Sequence, residues 1–146
     1  MHGLYIEQRS LNGKTLLSWD LAHHIYARGM QGKIAVVTEK PIELLAATKK
    51  QWLKVMRQVQ RERSSTLNAV RIGELTRQIA WMQNLTFSAR SPDDILEADV
   101  TFARADDFVR VPPVCSTIYV TYAFEREKLH MLTAWIPAHG LVVLYV

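Results

Sequence analysis

Apolar residues recur along this chain at two different spacings, and the change of spacing divides it. Over residues 15–83 the spacing is mostly helical. Leu17, Leu21 and Ile25 recur every four residues, with Ala22 and Tyr26 beside them, which predicts a helix over 15–28 that stops at Arg28-Gly29. Residues 42–63 carry Ile42, Leu45, Ala46, Trp52, Leu53, Met56 and Val59 on one arc of roughly 140°, at about 100° per residue. Pro41 stands where the first turn of that helix begins. Ile72, Leu75, Ile79 and Met82 predict a third helix over 68–83, with Asn68 as its cap and Gly73 as a weak point costing ~1 kcal/mol. Between the first two helices, Ile34-Ala35-Val36-Val37-Thr38 is a β-branched run that reads as a buried, central strand. Residues 4–9 read as a short first strand and Leu11-Asn12-Gly13-Lys14 as a turn.

Beyond residue 84 the elements shorten. Leu85-Thr86-Phe87-Ser88 reads as a strand, and Ser91-Pro92-Asp93-Asp94 as the start of a short helix over 92–97. The period then becomes two. Val100 and Phe102 alternate with Thr101 and Ala103, and Ile118, Val120 and Tyr122 with Tyr119 and Thr121. Asp106-Asp107 reads as a turn before a strand through Val109 and Val111, which Pro112-Pro113 break. Residues 129–136 and 141–146, separated by Pro137-Ala138-His139-Gly140, read as a hairpin. Helices first and neighbouring strands later predict an α+β fold. The expected architecture is one domain over 1–146: a mostly antiparallel sheet of five or six strands, packed in two layers against the helices 15–28, 42–63 and 68–83.

Composition adds bounds. The 146 residues are 49% hydrophobic and 22% charged, enough for one core and close to the globular average. The single cysteine, Cys115, allows no internal disulfide and no Cys-rich zinc site. No apolar run approaches the ~20 residues needed to cross a bilayer, and Glu7 interrupts any signal-like stretch near the start. The expectation is therefore a cytoplasmic protein without membrane contact. Charge is unevenly placed. Residues 1–90 hold 14 Lys+Arg against 6 Asp+Glu, while residues 91–146 hold 4 against 8. A net +8 front and −4 back suit an anionic partner, or self-association of opposite surfaces.

Three constellations bear on chemistry. Lys50, Lys54, Arg57 and Arg61 recur at i, i+4, i+7 and i+11, within an arc of about 60° beside the apolar arc of helix 42–63. Such a row suits the regular negative charge of a nucleic-acid backbone, and Arg71 and Arg77 extend the same surface. Equally, a helix packed on one side must expose something on the other. Asp20 and His24 stand one helical turn apart, with Arg28 a further turn on. That spacing serves a weak surface ion pair, or two members of a catalytic or metal-binding group whose third member is unassigned. Asp93, Asp94, Asp106 and Asp107, with Glu97 and Asp99, could hold Mg²⁺, but capping and turn formation already account for four of them.

Gly13-Lys14-Thr15 lacks the glycine five residues earlier that a phosphate loop needs, since Gln8 stands there. Asn84-Leu85-Thr86 is a glycosylation sequon in a chain with no secretion signal. His130 and His139 have no partner fixed by spacing. Tyr119, Trp135 and Tyr145, if on an open sheet face, would mark a partner surface. No motif commits the chain to a reaction, and no cofactor or metal is expected. Three functions remain in play: a non-enzymatic accessory protein holding nucleic acid through Lys50, Lys54, Arg57 and Arg61; a homo-oligomeric or partner-docking subunit whose basic half meets an acidic surface; and a small hydrolase-type enzyme using Asp20 and His24.

Overall fold

The computed structural model describes residues 5–9, 17–89, 98–110, 115–121 and 140–145. Among these, six strands form one sheet: β1 (Tyr5–Arg9), β2 (Ile34–Val37), β3 (Phe87–Ala89), β4 (Val100–Ala103), β5 (Thr117–Val120) and β6 (Leu141–Tyr145). Their order is β1-β6-β5-β2-β4-β3, and every neighbouring pair is parallel. The expected antiparallel sheet is therefore wrong, although helices and strands are mixed as expected. The hairpin fails with it. One of its arms lies outside the described residues. The other, β6, pairs in parallel with β1 on one side and β5 on the other.

The cause is legible in the burial. A parallel sheet needs crossover segments of a dozen or more residues, which cover its faces, so its strands are apolar on both sides. All four residues of β2, β4 and β5 are buried. Ile34, Val36, Val100, Phe102, Tyr119, Leu141 and Val143 face one core, while Ala35, Val37, Ala103, Ile118, Val120 and Val142 face another. Thr101 is only 8% exposed and Ala103 fully buried, so the alternation around Phe102 marks two apolar faces rather than one apolar and one wet. The expected two layers are accordingly replaced by a sheet buried on both sides. Tyr119 is fully buried beneath the helices and belongs to no open aromatic face.

The first core is roofed by α1 (Leu17–Arg28), α2 (Pro41–Ser65) and α3 (Ala69–Asn84). α1 presents Leu21, Ala22 and Ile25, and α3 presents Leu75, Ile79 and Met82. α2 buries Thr48, Trp52, Val55 and Val59, so the arc expected from the sequence holds in part: Trp52 and Val59 are buried and Leu45 and Met56 pack half-buried against the same core. Ile42 and Leu53 of that arc are 70% and 52% exposed. The buried positions alternate by four, three and four, the seam of a helix held between two helical neighbours. Trp52 closes the seam. Its indole N–H donates to the carbonyl of Met82 at 3.2 Å, near the end of α3 where carbonyls lack helical partners, and its ring meets Trp81 and Phe87 edge-on. Tyr26 links α1 to α3 by donating its hydroxyl to Gln78 Oε1 at 2.7 Å.

A 3₁₀ turn, Gly29–Gln31, follows α1, and the left-handed residue comes after it, at Gly32, with φ 154°. A Cβ there would stand 2.6 Å from Ser116 Oγ, so the approach to β2 needs glycine twice over. On the opposite face, Asp106 and Asp107 do not make a turn. They occupy the first turn of a short helix, α4 (Ala105–Arg110), where carboxylates suit the positive end of the dipole. α4 buries Phe108 in the second core. The expected strand through Val109 starts inside this helix, and Val111 lies outside the described residues, as does the expected helix 92–97. No helix of the described residues is long and apolar enough to cross a membrane.

Candidate functional site

Two places on the molecule combine accessible chemistry with a fixed scaffold: the outer face of α2, and a crevice at one end of the sheet.

On α2, Lys50, Lys54, Arg57 and Arg61 are all exposed. At about 100° per residue they lie nearly opposite the buried Thr48–Trp52–Val55–Val59 seam, not beside it. None of the four has a carboxylate partner among the described residues. The row rises over roughly 17 Å at 1.5 Å per residue. Its neighbours are differently employed. Lys49 lies over the Phe87 ring, 5.9 Å from the centroid. Arg71, expected to extend the row, is instead committed within the protein. Its guanidinium donates to Glu62 at 2.7 and 3.0 Å and to Glu74 at 3.1 Å, and these carboxylates, Glu62 foremost, raise its pKa further. Arg77 is exposed on α3. At the far end of the row a shallow depression of about 350 Å³ lies among Arg57, Gln60, Arg61, Ser64 and Ser65.

Asp20 and His24 are brought together as the spacing implies. His24 Nε2 is 3.7 Å from Asp20 Oδ1, and both side chains are mostly shielded, at 12% and 21% exposed. The His24 ring stands edge-on to Tyr119, with centroids 5.3 Å apart. Neither residue lines either of the two cavities described here. Among the described residues no three His, Cys, Asp or Glu side chains gather as metal ligands would. His23, next to them, directs Nδ1 to the Trp19 carbonyl at 3.0 Å and lies against the Trp19 ring.

The carboxylates at 93–107 do not assemble into a site among the described residues. Asp99 Oδ2 accepts from the Thr86 N–H and hydroxyl at 2.9 and 2.8 Å, and the Asp99 N–H donates to Thr86 Oγ1 at 2.9 Å. This reciprocal clasp fixes the starts of β3 and β4. Asp93, Asp94, Glu97, His130, His139 and Trp135 lie outside the described residues, as does Gly13-Lys14-Thr15. Cys115 is buried, and burial pushes its thiol up to about 12, the opposite of what a nucleophile needs.

The chain matches no known protein family, no curated protein and no solved structure. Any reading of function therefore rests on the geometry itself.

The crevice is the feature the sequence reading missed. It encloses about 420 Å³ at the C-terminal ends of β2 and β5. Thr38 and Thr121, the residues just past those strands, form its back, and Leu17 and Ser18 of α1 form one side. Glu43, Leu44 and Ala47 of α2 form another, with Glu39 and Lys40 on the connecting loop. The backbone there is tied down. Thr121 donates its hydroxyl to the Val37 carbonyl at 3.1 Å, and Thr38 Oγ1 accepts the Lys40 N–H at 3.2 Å. The signal that could have found it was the unbroken apolar run Ile34–Val37. Such a run marks a parallel strand, and parallel sheets hold ligands at these strand ends.

Proposed function

We propose that this protein is a non-enzymatic accessory protein that holds a nucleic-acid backbone along the outer face of α2. One observation carries the reading. Lys50, Lys54, Arg57 and Arg61 form an exposed row without carboxylate partners among the described residues, while Arg71 nearby is taken up by Glu62 and Glu74. Four fixed cations along ~17 Å of rigid helix meet phosphates without reading bases, so affinity is expected to be sequence-tolerant and steeply salt-dependent. The test is fluorescence anisotropy with a labelled 20-base-pair duplex and a labelled single strand, across a salt series. Replacing Lys50, Lys54, Arg57 and Arg61 by glutamine should reduce the magnitude of the slope of log K against log salt by roughly 3–4 on the duplex. Unchanged binding by the fourfold variant would end the proposal.

An acidic protein surface, including a second copy of the chain, is the alternative. Leu53, exposed on the flank of the row, favours it, because an apolar edge beside cations is typical of protein contacts. Light scattering on a sizing column separates the two readings. A defined oligomer without nucleic acid, dissociated by the same four substitutions, supports this one.

A further inference from the structure

We infer that the crevice between the ends of β2 and β5 binds a small organic amine, with its apolar body on Leu17, Leu44 and Ala47 and its ammonium at Glu39 and Glu43. The position comes from the topology. After β2 the chain passes over the first core through α2 and α3 to β3, at one edge of the sheet. After β5 the next described strand is β6, on the other side. Where two adjacent parallel strands are followed by strands on opposite sides of the pair, open parallel sheets hold ligands beyond their C-terminal ends. The crevice lies there, and its volume falls within the roughly 300–1,000 Å³ of small-molecule clefts.

The lining selects the ligand chemistry. Folds of this kind often take a phosphate at such a place, against glycine-rich backbone and free helix N–H groups. Here the glycine is missing, and of the first-turn N–H groups only those of Ile42 and Glu43 are left without helical acceptors. The segment Val37–Pro41 has no glycine, Pro41 supplies no N–H at the first position of α2, and the Leu44 N–H donates to the Lys40 carbonyl. Glu43 already places a carboxylate in the first turn, where an anion would bind. Among the described residues of the lining, two carboxylates stand against Lys40 alone, a net charge of −1 in a chain whose net charge is +4. An anion is repelled and a cation attracted. The three apolar side chains give an organic body a place to shed water.

The site is independent of the nucleic-acid reading, since none of its residues belongs to the row on α2. The experiment is an amide-resolved NMR titration of the full chain with 2-phenylethylamine, and in parallel with 2-phenylethanol and 3-phenylpropionate, which share its shape but not its charge. The amine should produce saturable shifts at Ser18, Thr38, Glu39 and Glu43, and the propionate should bind more weakly than the alcohol. Glu39→Gln with Glu43→Gln should weaken the amine by roughly three- to tenfold, bringing it near the alcohol. Both glutamates are exposed, so this variant keeps the fold. Ala47→Phe, which fills the crevice, should abolish the shifts with all three probes. Should it disturb the spectrum at large, Ala47→Leu serves as the milder block. The proposal is overturned if the propionate binds as tightly as the amine, if the double glutamine variant binds the amine unchanged, or if the shifts fall elsewhere or never saturate.

Discussion

Cys115 packs among Ala35, Val37, Phe108 and Ile118 on the face of the sheet away from α2, and only 4% of it reaches solvent. Burial disfavours its thiolate, raising the thiol from an ordinary 9.0 to about 12. The consequence for stability has a definite sign. Unfolded chains release this proton near pH 9, while the folded chain keeps it until about pH 12. Below pH 9 both states hold the proton and nothing changes. Above it the unfolded state is favoured, and the stability the buried thiol contributes is lost as pH rises from 9 towards 12. Tyr26 adds to the same limb, because burial, the leading cause, raises its phenol as well, with Arg71 opposing. Urea unfolding at pH 8 and pH 10 should show the wild type losing about 1 kcal/mol more than Cys115→Ala between the two. Parallel losses would show that the thiol stays neutral in the unfolded chain or is exposed in the folded one.

At the scale of elements, the turn between α2 and α3 is held by a cap and by a side-chain clamp. Asn68 caps α3 as the sequence implies: its side-chain oxygen accepts the N–H groups of Val70 and Arg71 at 3.0 and 3.2 Å. The Thr66 N–H donates to the Glu62 carbonyl at 3.1 Å, and Arg71 clamps Glu62 across the turn. Asn68→Ala should therefore cost about 1 kcal/mol of stability in urea, the usual worth of such a cap. Because the clamp is exposed and salt-screened, Arg71→Gln should cost less than the cap does. A larger loss from Arg71→Gln would mean that the clamp, rather than the cap, sets the turn. The phase of α2 shows the limit of reading an element alone. Periodicity admitted Leu53 to the buried arc, yet Val55 is buried and Leu53 is not. The packing of α1 and α3 on either side set the phase of the buried face.

At the scale of the whole molecule, the parallel sheet places β2 at the centre, bonded to β5 on one side and β4 on the other, with β1 and β3 at the edges among the described strands. Amides of Ala35–Val37 are expected to exchange with solvent most slowly, and those of β1 and β3 orders of magnitude faster, because edge strands open without disrupting the core. Hydrogen exchange followed by NMR checks this directly. Equal protection of β1 and β2 would contradict the strand order. The same arrangement creates the crevice beyond β2 and β5, so it sits on the central strand of the sheet while its rim is built from helix starts and a loop.

By itself the sequence determined the helices at 17–28, 41–65 and 69–84 to within a few residues, the β2 run and the Asn68 cap. These depend on local spacing, backbone preference and capping chemistry, which act within a few residues of one another. It also determined that Lys50, Lys54, Arg57 and Arg61 share a face, and that Asp20 and His24 meet, because helical geometry requires both. Tertiary structure alone decided the direction of the strands, the burial of both sheet faces, the withdrawal of Arg71 from the basic surface and the existence of the crevice. Strand direction depends on how segments such as 38–86 cross the sheet, and short apolar strands of either sense look alike in composition. The crevice unites residues as far apart as Leu17 and Thr121, and no periodicity within either neighbourhood reports that they meet.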